Sequence, residues 1–148
     1  MRIIEHMFET SGPPVRAARP GSPASTSGAD RVRHGPPGWP PVVPPPSEPG
    51  WERRACGWLL DQCPADYRLY AGWRRHPPAL AWVTVRHLDA QLDAMRGAYR
   101  EVRIDLIDQI GPEGVAQVLG DLEVEGVRLL AARRAAGLLL EALHLDGV

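Results

Sequence analysis

The sequence contains no lysine and no asparagine, so all 17 of its positively charged side chains are arginine. A shortage of Lys and Asn beside abundant Ala, Gly, Pro and Arg is typical of proteins encoded by a GC-rich genome. The formal net charge is −1. Generic polyanion binders are normally clearly basic, so this charge balance argues against that class of protein.

Cysteines and long apolar runs are also scarce. Cys56 and Cys63 are the only cysteines. On one helix, seven residues of rise would hold them roughly 10 Å apart, too far for a disulfide, so we expect two buried thiols in a reducing compartment. No segment reaches the ~18 apolar residues of a membrane span, and residues 1–8 are too short and too polar for a signal peptide. We therefore expect a soluble, cytoplasmic protein.

Proline is nearly absent from the second half of the chain, where Pro112 is the one proline after Pro78. Proline and glycine crowd the part before Trp51. Residues 1–34 show no hydrophobic periodicity and are predicted to be disordered. Residues 35–50 are so rich in proline that we expect an extended, polyproline-like strap. Residues 51–148 then form a single helical domain, which is all that 148 residues allow.

The Pro-rich strap has two interpretations. Pro41 to Pro44 fits the spacing of a PxxP ligand for an aromatic groove on another protein. Alternatively Trp39, Val42 and Val43 lie against the chain's own helices. An exposed tryptophan among prolines is unusual for a linker, and this favours the second interpretation.

A heptad pattern runs through the helical domain and predicts one long helix. Its apolar residues alternate at spacings of four and three, which is the seam of a helix packed against another helix. They are Ala81, Val85, Leu88, Leu92, Met95, Tyr99, Val102 and Leu106. The predicted helices cover about 51–63, 78–109 and 112–143, and Pro or Gly marks the start of each and the end of the first two.

The break at Gly111 and Pro112 predicts how the two long helices are arranged. A turn of about two residues makes them antiparallel, and facing residues then have numbers that sum to about 222. In this register Arg96, Arg100 and Arg103 lie across from an acidic segment, residues 121–125. The predicted fold is all-α: a long antiparallel, coiled-coil-like helical hairpin with a short N-terminal helix docked on it, preceded by the strap.

The last helix has apolar residues outside the seam, and this predicts a second buried face. These residues are Leu130, Ala131, Ala135, Leu138 and Leu139. A helix that is apolar nearly all round is covered on more than one side. The short helix, the strap or a second copy of the chain could provide the cover. We take Leu130, Leu138 and Leu139 as candidate interaction residues.

The connection between the short and the long helix mixes aromatic and cationic residues. They are Tyr67, Arg68, Trp73, Arg74, Arg75 and His76. Such a cluster could bind phosphates and stack on a base. It could equally pack the short helix onto the hairpin and leave the charged groups in solvent, which is the interpretation we favour.

Catalytic and metal-binding patterns are not found. The spacings among Cys56, Cys63, His76 and His87 match no usual zinc motif. Thr84 is the only Ser or Thr of the helical domain and has no nucleophile elbow around it. We therefore expect no enzyme activity and no cofactor, with an unrecognised enzyme site as the last alternative.

Four runs carry a resemblance to other proteins: PPGWPP, WLLDQCPADYR, WRRHPPALAW and RLLAARRAAGLLLEAL. In these runs the chain resembles an uncharacterised family of small helical proteins from high-GC Gram-positive bacteria. The resemblance covers roughly residues 36–143 and implies a domain boundary but no activity.

Our leading hypothesis is a non-catalytic module that binds a protein partner or a second copy. A nucleic-acid-associated regulator that uses residues 67–76 is the alternative.

Overall fold

The computed structural model describes residues 35–145, in which every regular element is helical. Helix α1 is Trp51–Asp61, a 3-10 helix follows at Ala65–Leu69, and α2 is Ala71–Arg75. The long helices are α3, Pro77–Asp105, and α4, Ile107–Leu145. The disorder predicted for residues 1–34 lies outside the described residues.

Helices α3 and α4 form the predicted antiparallel hairpin with α1 docked on it. Two side-chain contacts across the hairpin confirm its register. Arg133 Nε donates to Asp89 Oδ1 at 2.7 Å, and the Tyr99 hydroxyl donates to Glu123 Oε1 at 3.1 Å. Both pairs have the residue-number sum of about 222 that an antiparallel pair turning near Gly111 requires.

The predicted charge match across the hairpin is only partly formed. Arg96 binds Asp93 at 2.9 Å and Arg128 binds Glu125 at 2.6 Å, each within its own helix. Within residues 35–144, none of the three arginines at positions 96, 100 and 103 forms an ion pair across the hairpin with the acidic segment. Residues three apart on one helix are already neighbours, so Arg96 and Arg128 pair within their own helices instead of across the hairpin.

The turn is longer than predicted. Helix α3 ends at Asp105, four residues before the expected end, and Leu106 is exposed rather than part of the seam. A single helical turn, Ile107 to Ile110, leads to Gly111, whose φ of 69° and ψ of 175° interrupt α4. Glycine adopts this backbone conformation far more easily than other residues, and Pro112 favours the extended ψ of the residue before it.

The larger hydrophobic core lies at the open end of the hairpin, where α1 covers it. Helix α1 contributes a one-sided face of buried residues: Trp51, Ala55, Cys56, Leu59 and Leu60. They pack against Leu80 and Leu88 of α3 and Leu139 of α4 in one cluster. Full burial of each leucine contributes about 2 kcal/mol, which an isolated 11-residue helix could not supply for itself.

Thr84 connects the segment after α1 to α3, and among the described residues it is the one polar residue that is fully buried. Its hydroxyl donates to the Leu80 carbonyl at 2.8 Å and lies 3.2 Å from Cys63 Sγ. The two cysteines are free thiols, as expected, although Cys63 is only half-buried. Burial raises the pKa of the Cys63 thiol, and its hydrogen bond with Thr84 opposes that rise.

The Pro-rich segment is folded into turns, which corrects the extended strap predicted for residues 35–50. Backbone hydrogen bonds close three successive turns, from Trp39 to Pro36, from Val43 to Pro40 and from Glu48 to Pro45. Proline favours the second position of a turn as readily as it favours polyproline geometry. The turn from Pro36 to Trp39 also needs a residue with a left-handed backbone, and Gly38, with φ of 90°, provides it.

This segment packs on the chain's own helices. Trp39 and Val43 are buried in the core, Trp39 Nε1 donates to the Val43 carbonyl at 2.9 Å, and the Trp39 and Trp51 rings lie 5.9 Å apart. The packing predicted for Trp39 and Val43 is therefore confirmed. Val42 is 65% exposed, so its predicted packing is wrong. Alternate residues of a tight turn point in different directions, and only one side of the turn faces the core.

Candidate interaction surfaces

The aromatic residues of the connection pack on one another. The Tyr67 and Trp73 rings are stacked, with centroids 5.3 Å apart and planes 7° apart. The Tyr67 hydroxyl and His87 Nε2 share a 2.8 Å hydrogen bond, and the edges of Tyr70 and His87 complete the cluster. Tyr67 therefore holds the connection against α3, and the face that it shares with Trp73 cannot also stack on a nucleic-acid base.

The charged residues of the connection are exposed and dispersed. Arg68 forms an ion pair with Asp61, at the end of α1. Arg74, Arg75 and His76 lie in solvent, and within residues 35–144 none of these three forms an ion pair. The structure thus brings Tyr67 and Trp73 together and leaves these cationic groups at the surface.

One polar atom of this cluster has an unusual environment. Trp73 Nε1 is buried without a hydrogen-bond partner among the described residues. An unpaired buried donor costs about 1–3 kcal/mol. Beside it lies an open groove of about 320 Å³, lined by Tyr70, Gly72, Trp73, His76 and Ala79.

A second recess lies between α1, α2 and the start of α3. It measures about 360 Å³ and is lined by Glu52, Arg53, Cys56, Gly57, Leu60, Arg74 and Pro77. Burial, with the nearby charge of Glu52, raises the pKa of the Cys56 thiol, and the charge of Arg74 opposes this rise. The thiol is therefore protonated at neutral pH and lacks the thiolate character of a reactive cysteine.

The three candidate leucines of α4 have different environments. Leu139 is fully buried in the core, so its assignment to an interaction surface is wrong. Leu138 is half-buried, and the Pro-rich segment lies against it: a Cβ on Gly38 would be 3.5 Å from Leu138 Cδ1. Leu130 remains 38% exposed. The cover predicted for this part of α4 thus comes mainly from the chain itself.

Most of the exposed large aliphatic residues among those described lie in the distal half of the hairpin, residues 96–128, where sequence reasoning placed no interaction surface. One group, here called the tip, lies at the turn: Ile104, Leu106, Ile107 and Ile110. The second group is a line on α4 that begins in the distal half and ends just beyond it, here called the outer stripe: Gly120, Val124, Val127 and Ala131. Ile104 and Val124 are 78% and 72% exposed. Testing residues 101–128 for apolar side chains off the seam would have found Ile104, Ile107, Ile110, Val124 and Val127.

The distal half has little core of its own. The residues buried there form a small cluster of Val102, Val115 and Leu119, with Tyr99 and Val118 packed beside it. Neither α1 nor the Pro-rich segment contributes to this cluster. Two helices joined only along one seam leave their outer faces open to solvent.

Comparison of the chain with protein-family models, with curated proteins and with solved structures finds no match. No helix among the described residues is long and apolar enough to cross a membrane. Across residues 35–145, no three His, Cys, Asp or Glu side chains converge in the manner of a metal site.

Proposed function

We propose that the chain is a non-catalytic protein–protein interaction module that binds through the distal half of its hairpin. One observation carries this proposal: the tip and the outer stripe expose aliphatic side chains on the part of the molecule with the smallest core. Contiguous exposed apolar residues with polar neighbours are typical of protein-binding surfaces.

The arrangement of the two halves supports this division of roles. The proximal half is covered by α1 and the Pro-rich segment, and its core is continuous from Trp39 to Leu143. This half supplies the stability, and the hairpin extends the distal half away from it. A rigid helical pair that presents apolar groups on its outer faces is a common form of helix-based recognition.

The nucleic-acid alternative has less support. A base-stacking site needs exposed ring faces, and the best candidates, Tyr67 and Trp73, stack on each other instead. The exposed Arg74 and Arg75 remain available for phosphates, so the experiment below includes them.

The test is affinity capture from cells of the source organism, followed by mass spectrometry. We expect a partner protein to be captured by the wild-type chain and lost from a tip variant, Ile104→Ser/Ile107→Ser. A matched control, Leu69→Ser, changes another exposed aliphatic residue and should retain the partner, because Leu69 lies in the 3-10 helix away from the hairpin tip.

An Arg74→Ala/Arg75→Ala variant separates the two hypotheses. Under the proposal it captures the same partner as the wild type. Capture of nucleic acid that falls steeply with salt and is lost in this variant would instead support the nucleic-acid alternative. Equal capture by the tip variant and the wild type would contradict the role of the tip.

A further inference from the structure

The outer stripe of α4 is its own complement under a two-fold rotation. Its four residues follow one another at spacings of four, three and four, so the pattern reads the same in both directions. If a second α4 lies antiparallel across the stripe, with the axis between Glu125 and Gly126, Val124 meets the partner's Val127. Gly120 then meets the partner's Ala131, and these small residues allow the two helices to approach closely.

The charges beside the stripe match in the same arrangement. At about 100° per residue, Asp121 and Arg128 lie on the same edge of the stripe. A two-fold axis places that edge against the same edge of the partner. Asp121 then lies across from the partner's Arg128, offset by only about 3 Å along the helix. Two such pairs form, one on each side of the axis.

Asp121 and Arg128 are suited to this contact. Asp121 is exposed and makes no ion pair within residues 35–144. Arg128 is held in position by its bidentate contact with Glu125, at 2.6 and 2.8 Å. In a parallel two-fold pair this edge would face the opposite edge of the partner helix, so Asp121 and Arg128 would not meet; their pairing requires the antiparallel arrangement.

The chain itself marks where the contact ends. Towards the C-terminus of α4 the Pro-rich segment occupies the same face. A Cβ on Gly38 would lie only 3.0 Å from Arg134 Cδ, which shows how closely the segment approaches. The free stripe therefore stops at Ala131, and the paired helices must cross at an angle rather than run side by side. A contact about 16 Å long is at the small end of specific interfaces, which implies a reversible dimer.

We infer that the outer stripe joins two copies of the chain in an antiparallel, two-fold dimer through α4. The inference rests on the proposed function and names a second copy as one partner of the distal half. The tip is left free in this dimer.

Sedimentation velocity of the full chain, from about 5 µM to about 500 µM, tests the inference over the range expected of a weak dimer. We expect the wild-type mass to rise toward that of a dimer. Val127→Ser should remain monomeric, whereas Leu69→Ser, a matched exposed aliphatic change, should dimerise like the wild type. Circular dichroism confirms that each variant is folded.

A charge exchange tests the register. Asp121→Arg should abolish the dimer because the new guanidinium would face the partner's Arg128, while its own helix stays intact through a new contact with Glu125 four residues on. Adding Arg128→Asp reverses both charges and should restore the dimer. A wild type that stays monomeric, or a double variant as defective as Asp121→Arg, would overturn the inference.

The two proposals can fail separately. Loss of a captured partner in the tip variant, with a strictly monomeric wild type, would support the proposed function and overturn the dimer. A dimer with the expected charge exchange, together with a partner that the tip variant retains, would support the inference and contradict the role of the tip.

Discussion

Single residues show how narrow the boundary is between the core and the surface of the hairpin. Leu92 is buried in the seam and its neighbour Asp93 is exposed, with Arg96 as its partner. Leu92→Asp should cost more than about 3 kcal/mol of unfolding free energy, because it places a carboxylate inside the core. Chemical denaturation of the variant and the wild type measures this.

Asp93→Ala is the matched control for Leu92→Asp. It removes only an exposed ion pair, so its unfolding free energy should change by less than about 1 kcal/mol. Similar losses in the two variants would mean that the seam does not face α4 at Leu92.

The Cys56 thiol allows a test of local electrostatics. Burial, then Glu52, raises its pKa, and Arg74 lowers it. A raised pKa keeps the thiol protonated, so alkylation by iodoacetamide should reach its half-maximal rate at a higher pH than in the unfolded chain. A Cys63→Ser background, followed by intact-mass spectrometry, reports on Cys56 alone.

Changes in the two neighbouring charges should shift this profile in opposite directions. Glu52→Gln removes a negative charge that disfavours the thiolate, so alkylation at a given pH should become faster. Arg74→Gln removes a stabilising positive charge, so alkylation should become slower. A profile that matches the unfolded chain in all three proteins would contradict the buried position of Cys56.

Among the structural elements, the turn between the long helices depends on one glycine. Gly111 has φ of 69° and ψ of 175°, a backbone region almost restricted to glycine. Gly111→Ala should therefore lower the unfolding free energy by about 1–3 kcal/mol. Thermal and chemical denaturation measure this change.

The same substitution inside α3 should have the opposite effect. Gly97 lies in the helix interior, and a Cβ there would meet no atom within 4 Å. Gly97→Ala should raise the unfolding free energy by roughly 0.5–1 kcal/mol through helix propensity. A loss at Gly97 equal to the loss at Gly111 would show that the turn geometry is not the cause.

The elements also show how far sequence reasoning extends. The seam of α3 and the Gly111–Pro112 break could be predicted because heptad spacing and backbone chemistry are local signals. The early end of α3 at Asp105 could not, since no residue there forbids a helix. The turns of residues 36–48 were missed because proline suits both extended and turn conformations.

Which surface residues other elements bury was harder to predict than the hairpin, because this burial depends on how the elements pack in three dimensions. Leu139 and Leu130 look alike in sequence, but the core encloses one and leaves the other partly exposed. The outer stripe lies off the seam, on a face of α4 that the heptad pattern does not mark. Its symmetry becomes evident only when the register of the hairpin shows which residues of α4 are left outside.

At the scale of the whole molecule, stability and recognition are in different halves. The proximal core joins residues from the Pro-rich segment, α1, α3 and α4, whereas the distal cluster has three buried residues. Local opening requires fewer apolar contacts to be broken in the distal half. Amides of residues 112–118 should therefore exchange hydrogen faster than those of residues 80–92, as measured by exchange mass spectrometry.

The same experiment at two protein concentrations connects stability to self-association. Dimer formation removes water from α4 at the outer stripe, so residues 120–131 should gain protection as concentration rises, while residues 112–118 and 80–92 should not. Asp121→Arg should lose this concentration dependence and keep the proximal protection, because its core is unchanged. Uniform protection along the hairpin at low concentration would contradict the division into a stable proximal half and an exposed distal half.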